Sequence, residues 1–245
     1  VEKYCVFVGY PRSGHSLVGA LVDAHPDAAI SHELDAMRYV QAGFRRSQLF
    51  ALIVEKSRLD ADDRRSGRDA QTVPNQWQGR SQQLRVIGDK KGGGTARAIR
   101  REPGLLTRLA ELTGVPLVAV HVTRHPLDNI SAMSITGRHG ATLRGAIDAY
   151  FAHCEGVAIA KQMLGDAVVD LRHEDLVARP EATLHGLCDV LGLAAHKSYL
   201  EDCASVVSPS LRRSREKVDW DPPLLQRVDD RMRAHDFLAT YAAGT

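Results

Sequence analysis

The stretch from Tyr4 to Val22 constrains this chain more than any other. Tyr4 to Val8 is a short apolar run rich in strand formers, and it runs into the turn Gly9-Tyr10-Pro11-Arg12-Ser13-Gly14. Apolar residues then recur at Leu17, Val18, Leu21 and Val22, which is helical spacing. Strand, glycine-containing turn and helix start is the layout that binds a phosphate. Free backbone N–H groups and the positive end of the helix dipole point at one spot. Arg12 adds a cation to that spot, and Ser13 and Ser16 add hydroxyl donors.

Gly9, Gly14, His15 and Ser16 match the spacing of a nucleoside-triphosphate loop, but His15 stands where that loop carries a lysine. A neutral, shorter imidazole reaches outer phosphates badly, and the basic residue has moved into the loop as Arg12. The form Tyr-Pro-Arg-Ser-Gly followed by two small polar positions resembles the 5′-phosphosulfate loop of sulfotransferases. Those enzymes use 3′-phosphoadenylyl sulfate (PAPS). The resemblance implies that Arg12, Ser13, Gly14, His15 and Ser16 bind the cofactor.

Composition limits the alternatives. A chain of 245 residues at 44% hydrophobic suits one α/β domain with a sizeable core. Net charge is only +2, from 32 basic and 30 acidic residues, so no nucleic-acid partner is expected and any anion site must be local. No apolar run approaches the ~20 residues of a membrane span. No signal peptide is visible, although a leader removed before Val1 stays open. Cys5, Cys154, Cys188 and Cys203 are widely spaced and read as buried reduced thiols. The histidines show no metal-ligand spacing. The Ala- and Arg-rich composition points to a bacterial cytoplasmic protein.

The span from Pro11 to Asp27 is very like the opening of tyrosylprotein sulfotransferases and their bacterial relatives. In that family a glutamate shortly after the Asp-Ala-His-Pro turn is the general base. Glu33 falls in register with it, and His32 is the alternative proton acceptor. From the residues alone a second reading is open: Ser31 as a helix cap, with Glu33 as a first-turn acid. Leu84 to Gly88 is expected as a strand, with Asp89-Lys90-Lys91 and three glycines at its exit. That segment resembles the family's Gly-Asp-Lys element, which carries Lys90 over to the transferred group.

Leu117 to Val122 reads as a central parallel strand. Its exit, Thr123-Arg-His-Pro-Leu-Asp-Asn-Ile-Ser131, resembles the family's 3′-phosphate motif, with Arg124 as the arginine. The family's serine usually comes eight residues later, where this chain has Ala132. Ser131 is therefore taken for that role, with Ser134 as the other choice. Arg172 to Leu193 resembles the family's Glu-Asp-Leu block, in which Glu174 and Asp175 are read as scaffold. The tail from Ser208 to Trp220 holds four basic residues and resembles the late basic loop, with Arg215 as the nucleotide contact and Arg212 and Arg213 as further candidates.

Residues 57–83 are polar and show no clear period. They read either as a substrate-side insertion with Trp77 as a platform, or as a solvated loop with Trp77 plugging its base. Together the motifs predict a single domain over residues 1–245. Its expected fold is a three-layer α/β/α arrangement with a mostly parallel central sheet, like that of P-loop nucleoside triphosphatases and sulfotransferases. The implied reaction is sulfuryl transfer from PAPS to a hydroxyl or amine of a small-molecule, carbohydrate or peptide acceptor. It uses no metal and leaves adenosine 3′,5′-bisphosphate (PAP). A P-loop kinase of a small metabolite and a non-catalytic nucleotide-binding protein are the alternatives.

Overall fold

The computed structural model describes residues 1–65, 71–137 and 142–242. Strand β1 (Lys3–Val8) leads into helix α1 (His15–Asp23), then β2 (Ala28–His32), α2 (Ala36–Gln41) and α3 (Arg46–Arg65). Next come β3 (Val86–Lys90), α4 (Gly93–Arg101), α5 (Leu105–Thr113), β4 (Leu117–Thr123), α6 (Pro126–Thr136) and α7 (Leu143–Leu164). The chain finishes with β5 (Val168–Arg172), α8 (His173–Ala178), α9 (Pro180–Leu191), α10 (Lys197–Ser205), α11 (Pro222–Met232) and α12 (Ala239–Ala242).

The sheet is parallel throughout, in the order β2-β3-β1-β4-β5. Because successive side chains alternate across a strand, β1 feeds two cores. Cys5 and Phe7 pack with α1, α9 and α10, whereas Tyr4, Val6 and Val8 pack with α3, α4, α5 and α7. Each such buried side chain contributes roughly 1.5–3 kcal/mol. A third cluster joins Tyr10, α6, α7 and α11 beside the loop that follows β1. Among the described residues no helix is long and apolar enough to cross a membrane. All four cysteines are buried and unpaired.

The structure adds local detail to several of these readings. Helix α3 runs to Arg65, well into the stretch that lacked an apolar period. Its inward stripe continues through polar residues: Ser57 donates to Asp23 at 2.7 Å, and Asp60 accepts the His32 N–H at 2.8 Å. Arg58 pairs with Glu55 and Asp62 along the exposed side. Residues 66–70 of the same stretch lie outside the described residues. Trp77 sits where its N–H bonds the Ala24 carbonyl at 3.0 Å, at the end of α1 opposite the loop, with Arg80 over its ring. Finally, Ser31 is inside β2 and caps no helix, and Lys90 is the last residue of β3, not a loop residue beyond it.

Helices α4 and α7 approach closely at Gly156, where an added Cβ would meet the backbone of Ala96. Since α4 begins at the glycine run beside the loop, this contact sets the height of that run. Gly156→Ala should lower unfolding free energy by roughly 1–3 kcal/mol through overpacking. The check is a urea titration, in which the midpoint falls at unchanged slope.

Candidate active site

β1 lies between β3 and β4, so the loop after it opens into the crevice at the carboxyl ends of the strands. Gly9, Arg12 and Gly14 have φ of 155°, 69° and 100°. Gly14 must be glycine for two reasons: its left-handed backbone, and His173 Nδ1, which would lie 2.6 Å from a Cβ there. The loop is gripped from the β4 side. Asn129 donates to the Pro11 carbonyl at 2.7 Å, and Arg124 to the Arg12 carbonyl at 3.0 Å. Helix α1 starts with no side-chain cap and no acidic residue in its first turn, so its positive end is left for an anion. The Arg12 guanidinium is exposed and has no ion-pair partner among the described residues.

On the β3 side a buried cation organises the site. Lys90 is 1% exposed, and its stem runs beneath Gly19 of α1. Its Nζ donates to Ser16 Oγ at 3.0 Å and to Glu33 Oε1 at 2.7 Å, and lies 3.3 Å from His32 Nε2. Lys91 donates to the other Glu33 oxygen at 2.7 Å. Burial lowers the Lys90 pKa, and the Glu33 charge opposes that. Burial pushes the Glu33 carboxyl up, but the two lysines override it and hold the group at about 2. His15 is buried beside this cluster, with Ser13 Oγ 3.1 Å from its Nδ1. Burial first, then the Lys90 charge, push its pKa down to about 3. That favours the neutral imidazole, which offers a ring N–H to the cavity it lines but not a lysine's charge.

On the β4 side a cavity of about 320 Å³ is lined by Arg12, Gly14, Ser16, Arg124, His173 and Arg212, among others. Arg124 is 8% exposed, and its guanidinium also donates to the Arg212 carbonyl and reaches Ser214 Oγ at 3.5 Å. His173 opens α8 at the exit of β5, and its buried Nδ1 has no hydrogen-bond partner among the described residues. Burial, then the nearby Arg124 charge, lower its pKa. The sequence motifs assign this imidazole no site role. The one available signal was its place after a parallel strand.

The structure thus gathers Arg12, Ser13, Gly14, His15, Ser16, His32, Glu33, Lys90 and Arg124 around one loop. Ser131 and Arg215 make other contacts. Ser131 is fully buried, and its hydroxyl accepts the Trp220 indole N–H at 3.2 Å. Arg215 donates its N–H to Asp128 at 2.9 Å and lines a separate cavity with Leu127 and Met232. In the tail Arg212, not Arg215, borders the cavity beside the loop. Glu174 is scaffold: it accepts the His125 N–H and the Tyr241 hydroxyl, both at 2.8 Å.

A parallel sheet with a phosphate loop after its central strand, a buried lysine on one side and an arginine on the other defines a phosphate-loop group transferase. The sequence pattern of the Sulfotransferase family matches residues 6–197, and the chain belongs to that family of PAPS-dependent transferases. The kinase alternative falls with that assignment. A search of curated protein sequences found no match. Solved structures share the fold. The sulfotransferase domain from the curacin biosynthetic pathway is 16% identical, with a TM-score of 0.57 over 96% of this chain and 99% of that one. Mouse sulfotransferase SULT7A1 complexed with PAP is 13% identical, with a TM-score of 0.57 over 100% of this chain and 90% of that one. A sulfotransferase from Alicyclobacillus acidocaldarius is 15% identical, with a TM-score of 0.55 over 99% and 94%.

The Glu33 pKa lies below the ordinary 4.5, so its pairing stabilises the fold fully above that value and loses this effect as pH falls toward 2. The melting temperature of the wild type should exceed that of Glu33→Gln at neutral pH. The gap should shrink below pH 4.5 and close near pH 2. Differential scanning calorimetry across that window is the check.

Proposed function

We propose that the chain transfers the sulfuryl group of PAPS to an acceptor hydroxyl or amine, with Glu33 as general base. The observation that carries this reading is the Lys90 ammonium held between Ser16 of the loop and Glu33. The residues present fit a phosphosulfate nucleotide. The α1 terminus is uncapped, a Cβ at Gly14 would run into His173, and among the described residues Arg12 has no ion-pair partner and the buried His173 Nδ1 no hydrogen-bond partner.

PAPS supplies the activated sulfuryl group and a good leaving phosphate. Arg12, Ser16 and the loop N–H groups bind the 5′-phosphosulfate, and Arg124 with the Arg212 segment of the tail takes the 3′-phosphate. Ser131 accepts the Trp220 N–H on its oxygen and keeps its own O–H as a donor, so it is a further candidate for that phosphate. Lys90 serves two anions. When it turns to charge developing on the transferred group, Glu33 loses its strongest acidifying contact and becomes a better base. The acceptor then gives its proton to Glu33 as its oxygen or nitrogen bonds to sulfur, and the sulfur–phosphate oxygen bond breaks to leave PAP. His32, 3.3 Å from Lys90 Nζ, is the second candidate for that proton. The acceptor enters on the β2–β3 side, where Glu33 is 39% exposed. No metal takes part in this scheme. The unpaired cysteines support a cytoplasmic setting.

Thermal shift with PAP against ADP and magnesium-ATP tests the nucleotide. Stabilisation by PAP in the absence of magnesium is expected, about 2.7 kcal/mol at a hundred times the dissociation constant. A response to magnesium-ATP alone would sink the reading. For the base, Glu33→Ala should lower kcat roughly 10²–10⁴-fold. Its PAP affinity, read by calorimetry, should stay within about threefold, because Glu33 does not line the nucleotide cavity.

A further inference from the structure

The turn that presents Glu33 is strained. Glu33 and Asp35 both have left-handed backbones, with φ of 62° and 67°, and neither is glycine. Such conformations persist only where surrounding structure holds them. One carboxylate does so here. Asp89, 2% exposed, accepts the Ser31 hydroxyl at 2.9 Å and the Leu34 N–H at 3.1 Å on one oxygen. Its other oxygen accepts the Ala36 N–H at 2.9 Å. The three donors bracket Glu33 on both sides in the chain.

We propose that Asp89 is a positioning residue for the transfer reaction. It locks the connection from β2 to α2 so that the Glu33 carboxylate faces Lys90 and the reacting centre. Asp89 and Lys90 are consecutive in β3, so their side chains leave opposite faces of the sheet. Lys90 enters the site beneath α1, and Asp89 enters the turn on the other side. The strand end thereby sets the cation and the base in one register, and the Glu33 N–H, which donates to the Lys90 carbonyl at 3.0 Å, completes the clamp. Asp89 touches no substrate in this scheme. It acts through Glu33, and the inference rests on the reading of Glu33 as the base.

A double-mutant cycle tests it, using Asp89→Asn, Glu33→Gln and the pair. Asparagine keeps one acceptor oxygen but turns an N–H₂ toward a donor, so the turn loses part of its hold. Asp89→Asn should lower kcat roughly 10–100-fold, the scale of a base displaced by about 1 Å. The KM for PAPS and the calorimetric PAP affinity should change less than about twofold, since a general loss of structure would move both. In the Glu33→Gln background the same substitution should have almost no further effect. Ser31→Ala removes one donor to the carboxylate and should cause a smaller kcat loss of the same kind. It keeps the test decisive if Asp89→Asn does not fold. The positioning role is overturned if Glu33→Gln loses turnover while Asp89→Asn, or Ser31→Ala in its place, retains it, or if the two losses multiply. Full turnover in Glu33→Gln would instead remove the base itself, and the positioning role with it.

Discussion

One buried ammonium holds the site together. Taking a lysine out of water costs on the order of several kcal/mol, and the cost is met only by a close counter-charge and satisfied donors. Lys90 has both, in Glu33 and Ser16. Helix α1 can lie over it only because residue 19 is glycine, since a Cβ there would fall 2.8 Å from Lys90 Cγ. Loop, carboxylate and cation are thus three parts of one contact. The first turn of α1, the end of β2 and the end of β3 must all be in place before any of them is positioned.

The sheet order makes that convergence possible. With β1 between β3 and β4, its loop receives Lys90 from one neighbour and Arg124 from the other. The backbone register aligns His32 with Lys90 on adjacent strands, which brings the β2 and β3 exits side by side. Charge is then divided across the loop. A cation already paired with a carboxylate stands on the β3 side. On the β4 side, among the described residues, Arg124 hydrogen-bonds neutral oxygens of the backbone and Ser214, with the Asp128 and Glu174 charges nearby.

The parts legible in the sequence are those whose chemistry is local. The phosphate loop could be read because turn, glycines and helix start are consecutive residues. The place of Arg124 beside the loop could be read because it directly follows the apolar strand β4. Continuation of α3 past residue 55 could not, since its inward face there is Ser57 and Asp60, whose partners are Asp23 and the His32 N–H. Apolar periodicity is blind to a helix face satisfied by hydrogen bonds. Ser131 shows the converse. The motif takes it one residue short of the usual spacing from Arg124, and only the folded-back tail shows that the Trp220 N–H donates to its oxygen.

By itself, the sequence determined the order of strands and helices, the phosphate-binding turn and the family. These depend on residue types at short spacing, where backbone preference and alternation decide. Only the tertiary structure decided which charges meet. Glu33 finds Lys90 and Lys91 more than fifty positions away, Gly14 is pressed by His173, and Arg212 rather than Arg215 borders the cavity. Such pairings arise from strand register and from the closeness of packed backbones. No local pattern encodes those distances.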